Sequence, residues 1–153
     1  MKRLIFIIIS FLICTLLISC NKQKPDKYPD RTEFTILSNI STLSIELGQE
    51  LTISTMFENK SKFDYEIERG PELILVQYRK IDDPIGLIVQ GPGYNDVLKS
   101  GQIYKSNEAI KIDEAGRYKI NIAASFSIKI KQEYRNYMIN AKSFEVEVKE
   151  PRK

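Results

Sequence analysis

The chain has 153 residues, with 23 lysines and arginines against 20 aspartates and glutamates, two cysteines, and neither histidine nor tryptophan. Without histidine it lacks the side chain that most often serves as general base near neutral pH and as metal ligand. A net charge of +3 and a pI of about 8.8 are no evidence for nucleic-acid binding, which asks for a clustered basic face.

The first element is a leader. Lys2 and Arg3 precede Leu4–Leu17, a run with no charge, proline or glycine. A basic end, an apolar stretch of this length and a small residue before the polar boundary are the layout of a secretory signal peptide. A transmembrane anchor would need about 20 apolar residues. Leu4–Cys20 is shorter and is interrupted by Ser10 and Thr15, so a cleaved signal over residues 1–19 is expected.

Leu17-Ile18-Ser19-Cys20 closes the run with an aliphatic residue, Ile18, a small residue and a cysteine. The pattern resembles the lipobox of bacterial lipoproteins. The resemblance covers the first 20 residues. It implies cleavage between Ser19 and Cys20, a diacylglyceryl group on the Cys20 thiol and acylation of the new amino terminus. One acyl chain binds a bilayer only marginally, at about 0.8 kcal/mol per buried methylene, whereas two or three hold it. The implied location is the cell envelope, lipid-anchored to a bacterial membrane on its periplasmic or surface side. Cys14, inside the run, would leave with the leader, as would Lys2 and Arg3, so 21 basic side chains would face 20 acidic ones and no disulfide within the domain is possible.

Residues 20–31 read as the lipidated cysteine and a flexible tether: two prolines, three lysines and one aromatic in Asn21–Arg31 cannot offset the entropy of ordering them. Lys22, Lys24 and Lys27 either rest on anionic head groups or solvate the tether.

Residues 32–149 have the length of one domain, followed by a tail at 150–153. Alternating apolar and polar residues, rich in β-branched and aromatic side chains, predict strands. They fall at Glu33–Leu37, Leu43–Leu47, Leu51–Asn59, Glu72–Lys80, Leu87–Gln90, Ala109–Ile112, Gly116–Lys131 and Tyr137–Lys149. "DDP", "GPGYND" and "KSGQ" carry turn chemistry. Seven to eight short strands predict an all-β sandwich.

"DEAGRYKINI", Asp113–Ile122, resembles the entry to the sixth strand of immunoglobulin-like and fibronectin-type domains, with "GQELTISTMFENKS" similar to their second strand. The resemblance implies a single immunoglobulin-like sandwich with a tyrosine corner at Asp113, Gly116 and Tyr118, whose hydroxyl would bond back to nearby backbone. The Asp–Gly spacing is one residue wider than in that family, and Ile120 stands where antibody domains carry cysteine.

No catalytic residue, metal or cofactor is expected. Asp82-Asp83 and Asp113-Glu114 are adjacent pairs that would point to opposite faces of a strand, and they read as turn acids. "GPGYND" lacks the lysine and helix of a phosphate loop. The expected function is a non-catalytic, membrane-anchored protein-binding or structural module with an envelope protein as partner. The alternative is a periplasmic inhibitor or immunity protein that blocks a secreted hydrolase.

The last element points at a surface. From Tyr118 to Ile130 the even positions are apolar, with mostly polar residues between. Folding back through "QEYRN" would set Ile130 against Met138 and Ile122 against Val146. The outer half of this hairpin would hold Ile128, Lys129, Ile130, Lys131, Tyr134, Arg135, Tyr137 and Met138. It is expected either to project and meet a partner, since aromatic, Met and Arg side chains favour interface cores, or to close one end of the domain.

Overall fold

A computed structural model describes residues 25–83 and 93–151. The expected signal peptide, Cys20, Lys22, Lys24 and the strand expected at Leu87–Gln90 lie outside those residues.

Nine strands stand among them: β1 (Phe34–Ile40), β2 (Ser44–Glu46), β3 (Glu50–Asn59), β4 (Tyr65–Lys80), β5 (Tyr94–Leu98), β6 (Ile103–Lys111), β7 (Gly116–Ile130), β8 (Glu133–Asn140) and β9 (Phe144–Lys149). One sheet has the order β1-β3-β6; the other runs β2-β9-β7-β4-β5, with β8 also paired to β7. All pairings are antiparallel except β2 with β9. The chain is an all-β sandwich, and its strands switch sheets as in immunoglobulin-like domains.

Period-two burial explains why these segments are strands. Leu51, Ile53, Thr55, Phe57 and Asn59 of β3 are buried, while Glu50, Thr52 and Ser54 between the first of them are exposed. In β7 every even residue from Tyr118 to Ile130 is buried. A ring cluster joins the sheets: Phe34 and Phe57 lie 5.2 Å and 5.6 Å from Phe126, and Phe34 lies 5.6 Å from Tyr137. Each buried ring contributes on the order of 1.5–3 kcal/mol through area removed from water, which suits a core that has no disulfide.

Several expected boundaries move. β4 begins at Tyr65 rather than Glu72, because it changes phase midway. Tyr65 and Ile67 face the core before a bulge, and Ile74 after it, where the register with β7 shifts between Arg69 and Ile74. The Arg69 guanidinium holds the bulge by donating to the carbonyls of Gly70 (3.1 Å) and Pro71 (2.8 Å) and to Asp96 (3.1 Å). Pro71, which has no amide proton, is tolerated there because the ladder is interrupted. β5 falls partly on "GPGYND", read above as a turn. β6 starts at Ile103, six residues earlier than expected. The strand expected over Tyr137–Lys149 is two strands, β8 and β9, laid end to end along β7.

Candidate functional site

The β7–β8 hairpin turns in two residues, Lys131 and Gln132, with Lys131 at φ 58°, an unusual left-handed conformation for a residue with a side chain. "QEYRN" is therefore mostly strand, and the register differs from the expected one. Ile130 pairs with Glu133, Ile128 with Arg135, Phe126 with Tyr137 and Ala124 with Ile139. Ile122 faces neither Val146 nor any other residue of β9, since Val146 pairs with Tyr118.

This register divides the proposed partner residues between two faces. Ile128, Ile130 and Tyr137 point into the core and are buried, so they offer no surface to a partner. The hairpin does not stand free; its inner face is part of the sandwich. On the outer face Lys129 pairs with Tyr134, and Ser125 with Met138. Tyr134 is 51% exposed and Met138 40%, and the Lys129 ammonium lies 5.7 Å from the Tyr134 ring centre. Lys131 is exposed at the turn.

The amino-terminal segment also corrects the expected tether, which does not run unheld to Arg31. The buried Tyr137 hydroxyl donates to the carbonyl of Pro29 at 2.8 Å, and burial pushes the phenol up from its ordinary value. The exposed Arg135 guanidinium lies 5.8 Å from the Tyr28 ring and 5.9 Å from the Tyr137 ring, within cation–π range of both. A 3-10 turn follows at Arg31–Glu33. The Asp30 carboxylate accepts from the Thr32 amide (2.9 Å) and hydroxyl (2.8 Å), and the Glu33 carboxylate accepts from the Asp30 amide (3.1 Å). Those bonds hold Asp30 below the usual carboxylate range. The sequence signal for this lock was "DRTE", the spacing of a capping box.

Two depressions of about 270 Å³ lie on the outer face of the larger sheet. One is lined by Gln77, Asn121, Asn140 and Met138 among others, and its neighbour by Ser125, Ser127, Asn136 and Met138. A larger one, about 750 Å³, opens at the hairpin turn between Lys129–Lys131, the loop before β4 (Lys62, Phe63, Asp64), and Pro25 and Asp26. Asn59, fully buried, knits that end together. Its amide nitrogen lies 3.1, 3.3 and 3.0 Å from the carbonyls of Phe63, Leu98 and Lys99, and its oxygen accepts from the Ser61 amide at 3.0 Å. Sequence reading passed over Asn59, Phe63 and Tyr65, because a polar residue ending a strand pattern looks like a turn.

At the opposite end, the Tyr118 hydroxyl donates to the carbonyl of Glu114 at 3.0 Å. Gly116 sits between them at φ 148°, a conformation that favours glycine. The exposed side chain of Asp113 and the Asp82-Asp83 pair lie at this end too. Glu114 pairs with Lys80, which holds its carboxyl below the ordinary value. No group of three or more His, Cys, Asp or Glu residues that could hold a metal ion occurs among the described residues. Nor is any helix among them long and apolar enough to cross a membrane.

No family model matches the chain, and no curated protein matches it. Among solved structures it is similar to part of a β-glucosidase from Listeria innocua, at 14% identity and TM-score 0.41, covering 75% of this chain and 16% of that one. A β-glucosidase from Erythrobacter marinus matches at 12% identity and TM-score 0.38, with 71% and 15% covered. The chain thus spans about a sixth of the length of these enzymes, and likenesses this distant say nothing about its activity.

Proposed function

We propose that this chain is a bacterial envelope lipoprotein, held to the membrane by lipid on Cys20, whose sandwich binds a protein partner without catalysis. The observation that carries the reading is Leu17-Ile18-Ser19-Cys20 at the close of an uncharged run behind Lys2 and Arg3. The chain contains no histidine, and Asp82-Asp83 and Asp113-Glu114 sit in turns, with Glu114 paired to Lys80. The binding face in this reading is the outer face of the hairpin, which carries exposed Tyr134 and where exposed Met138 borders two depressions lined by amides and hydroxyls. Aromatic and Met side chains are favoured at the centre of such interfaces.

The anchor is tested by Cys20→Ala. That variant accumulates as an unprocessed precursor and takes up no labelled palmitate; normal maturation with full labelling would end the assignment. The partner face is tested in the native cell by a photo-crosslinking residue at Tyr134. A discrete adduct that disappears in Met138→Glu supports it, and the absence of any adduct counts against this face.

A further inference from the structure

The two ends of the sandwich carry opposite charge. At the hairpin end, the loops are 60–64, 99–102 and 131–132. They contain Lys60, Lys62, Lys99 and Lys131, all exposed, together with Asp64, which accepts from the Ser100 amide at 2.8 Å, and the exposed acids Asp26 and Glu133 flank them. At the other end the described loops are 41–43, 47–49, 81–83 and 112–115, followed by Glu150 after β9. They contain Asp82, Asp83, Asp113, Glu114 and Glu150, while Lys80, which pairs with Glu114, and Lys149 stand at the strand ends beside them. The near-zero net charge expected of the processed chain does not show how the charges of these loops are distributed.

The chain enters at the basic end. Pro25 and Asp26 line the depression beside Lys62, Lys129 and Lys131, and the contacts of Tyr28 and Pro29 with β8 fix the direction of entry. Cys20 is five residues upstream of Pro25, a span of at most about 17 Å when fully extended. The fifteen residues of β7 make the sandwich about 50 Å long. A leash that short, fixed at one end of a body that long, keeps the acidic end away from the anchoring surface.

We propose that the basic end, through Lys60, Lys62, Lys99 and Lys131, rests on an anionic lipid surface, so that the domain stands on the membrane with its acidic end outward. This rests on the Cys20 anchor proposed above. Basic clusters beside a lipid anchor add electrostatic binding to anionic head groups, and the contribution fades within a Debye length, about 8–10 Å at ordinary ionic strength. Lys129 is nearby but faces Tyr134 and is paired in the sheet with Glu66, so it is left out of the contact set.

The test uses the full acylated protein in vesicles, with a fluorophore on a cysteine placed by Lys131→Cys or by Glu114→Cys and a quencher carried on the lipid head group. In vesicles containing phosphatidylglycerol, the label at 131 is quenched several-fold more than the label at 114. That excess shrinks in phosphatidylcholine vesicles, at high salt, or when Lys60, Lys62 and Lys99 become Glu. Equal quenching at both positions, or an excess that ignores lipid charge and salt, overturns the proposal. A second measurement separates it from the anchor. Residues 20–153 with Cys20→Ala contain the whole described domain and carry no lipid. They should sediment weakly with phosphatidylglycerol vesicles at low salt and not with phosphatidylcholine, and Lys-to-Glu reversal of all four residues should abolish this. If acylation fails but the charge-dependent sedimentation stands, the surface survives without the anchor; if reversal changes nothing, the surface is wrong whatever Cys20 carries.

Discussion

At the scale of single residues, two side chains tie backbone together at opposite ends, and each can be removed cleanly. Tyr118→Phe deletes the bond to the Glu114 carbonyl and leaves the ring in place. The expected loss is about 1 kcal/mol, read as a lower melting temperature or denaturant midpoint. A Phe variant as stable as the parent would mean that water replaces the hydroxyl without cost. Asn59 is the more demanding case, because its two N–H donors serve a cluster of three carbonyls and its oxygen accepts from one amide at a site with no solvent exposure. Asn59→Ala removes the donor to the Leu98 and Lys99 carbonyls and the acceptor of the Ser61 amide, while the Phe63 carbonyl keeps the Ser61 hydroxyl, and should cost about 2 kcal/mol. Asn59→Asp keeps the shape but loses both donors and should fail to restore the stability. Recovery by Asp would show that the geometry, and not the N–H groups, matters. Tyr118 was legible in the sequence because corner, glycine and tyrosine come within six residues. Asn59 was not, because its partners Leu98 and Lys99 lie about forty positions away.

Among the elements, β7 was legible nearly to the residue, since strict alternation over its length admits only one assignment of faces. β4 hid its first half. Two alternating stretches of opposite phase meet at its bulge, and read as one stretch they cancel. The hairpin register was missed for a local reason: Lys131 takes a left-handed conformation that a lysine does not advertise. A turn placed a few residues later slid Ile130 from Glu133 to Met138, which made core residues look like a projecting arm. The docked segment before β1 was hidden too, because prolines and lysines resemble a tether until Tyr137 and Arg135 are seen to hold it. Tyr137→Phe isolates that contact. It keeps the stacked ring against Phe126 while removing the bond to Pro29. Limited proteolysis should then cut sooner between Lys27 and Arg31, with a global loss of only about 1 kcal/mol. Unchanged cleavage would mean that the Arg135–Tyr28 contact alone holds the segment.

For the molecule as a whole, titration follows from which groups the fold perturbs. Burial pushes the phenols of Tyr65, Tyr104, Tyr118 and Tyr137 up, and the bond to Glu114 pushes the Lys80 ammonium up. A group raised by folding stabilises the native state below its unfolded value, and that stability is lost as pH climbs through the folded value. For these groups the loss begins near pH 10. Asp30 is lowered by its bonds to Thr32, and Glu114 by Lys80. A lowered acid stabilises above its unfolded value, near pH 4, and the benefit goes as pH falls through the folded one. Both acids are exposed, so the acid limb should be shallow, while the alkaline limb, carried by several buried rings, should be steep. The chain has no histidine, the side chain whose ordinary value lies midway between those limits. The melting temperature should therefore be level from about pH 5 to about pH 9 and fall more sharply on the alkaline side. A step between pH 6 and 7 would require a strongly shifted carboxylate or lysine that none of these contacts supplies. Tyr137→Phe should soften the alkaline limb, because one of the four phenols raised by burial would be gone.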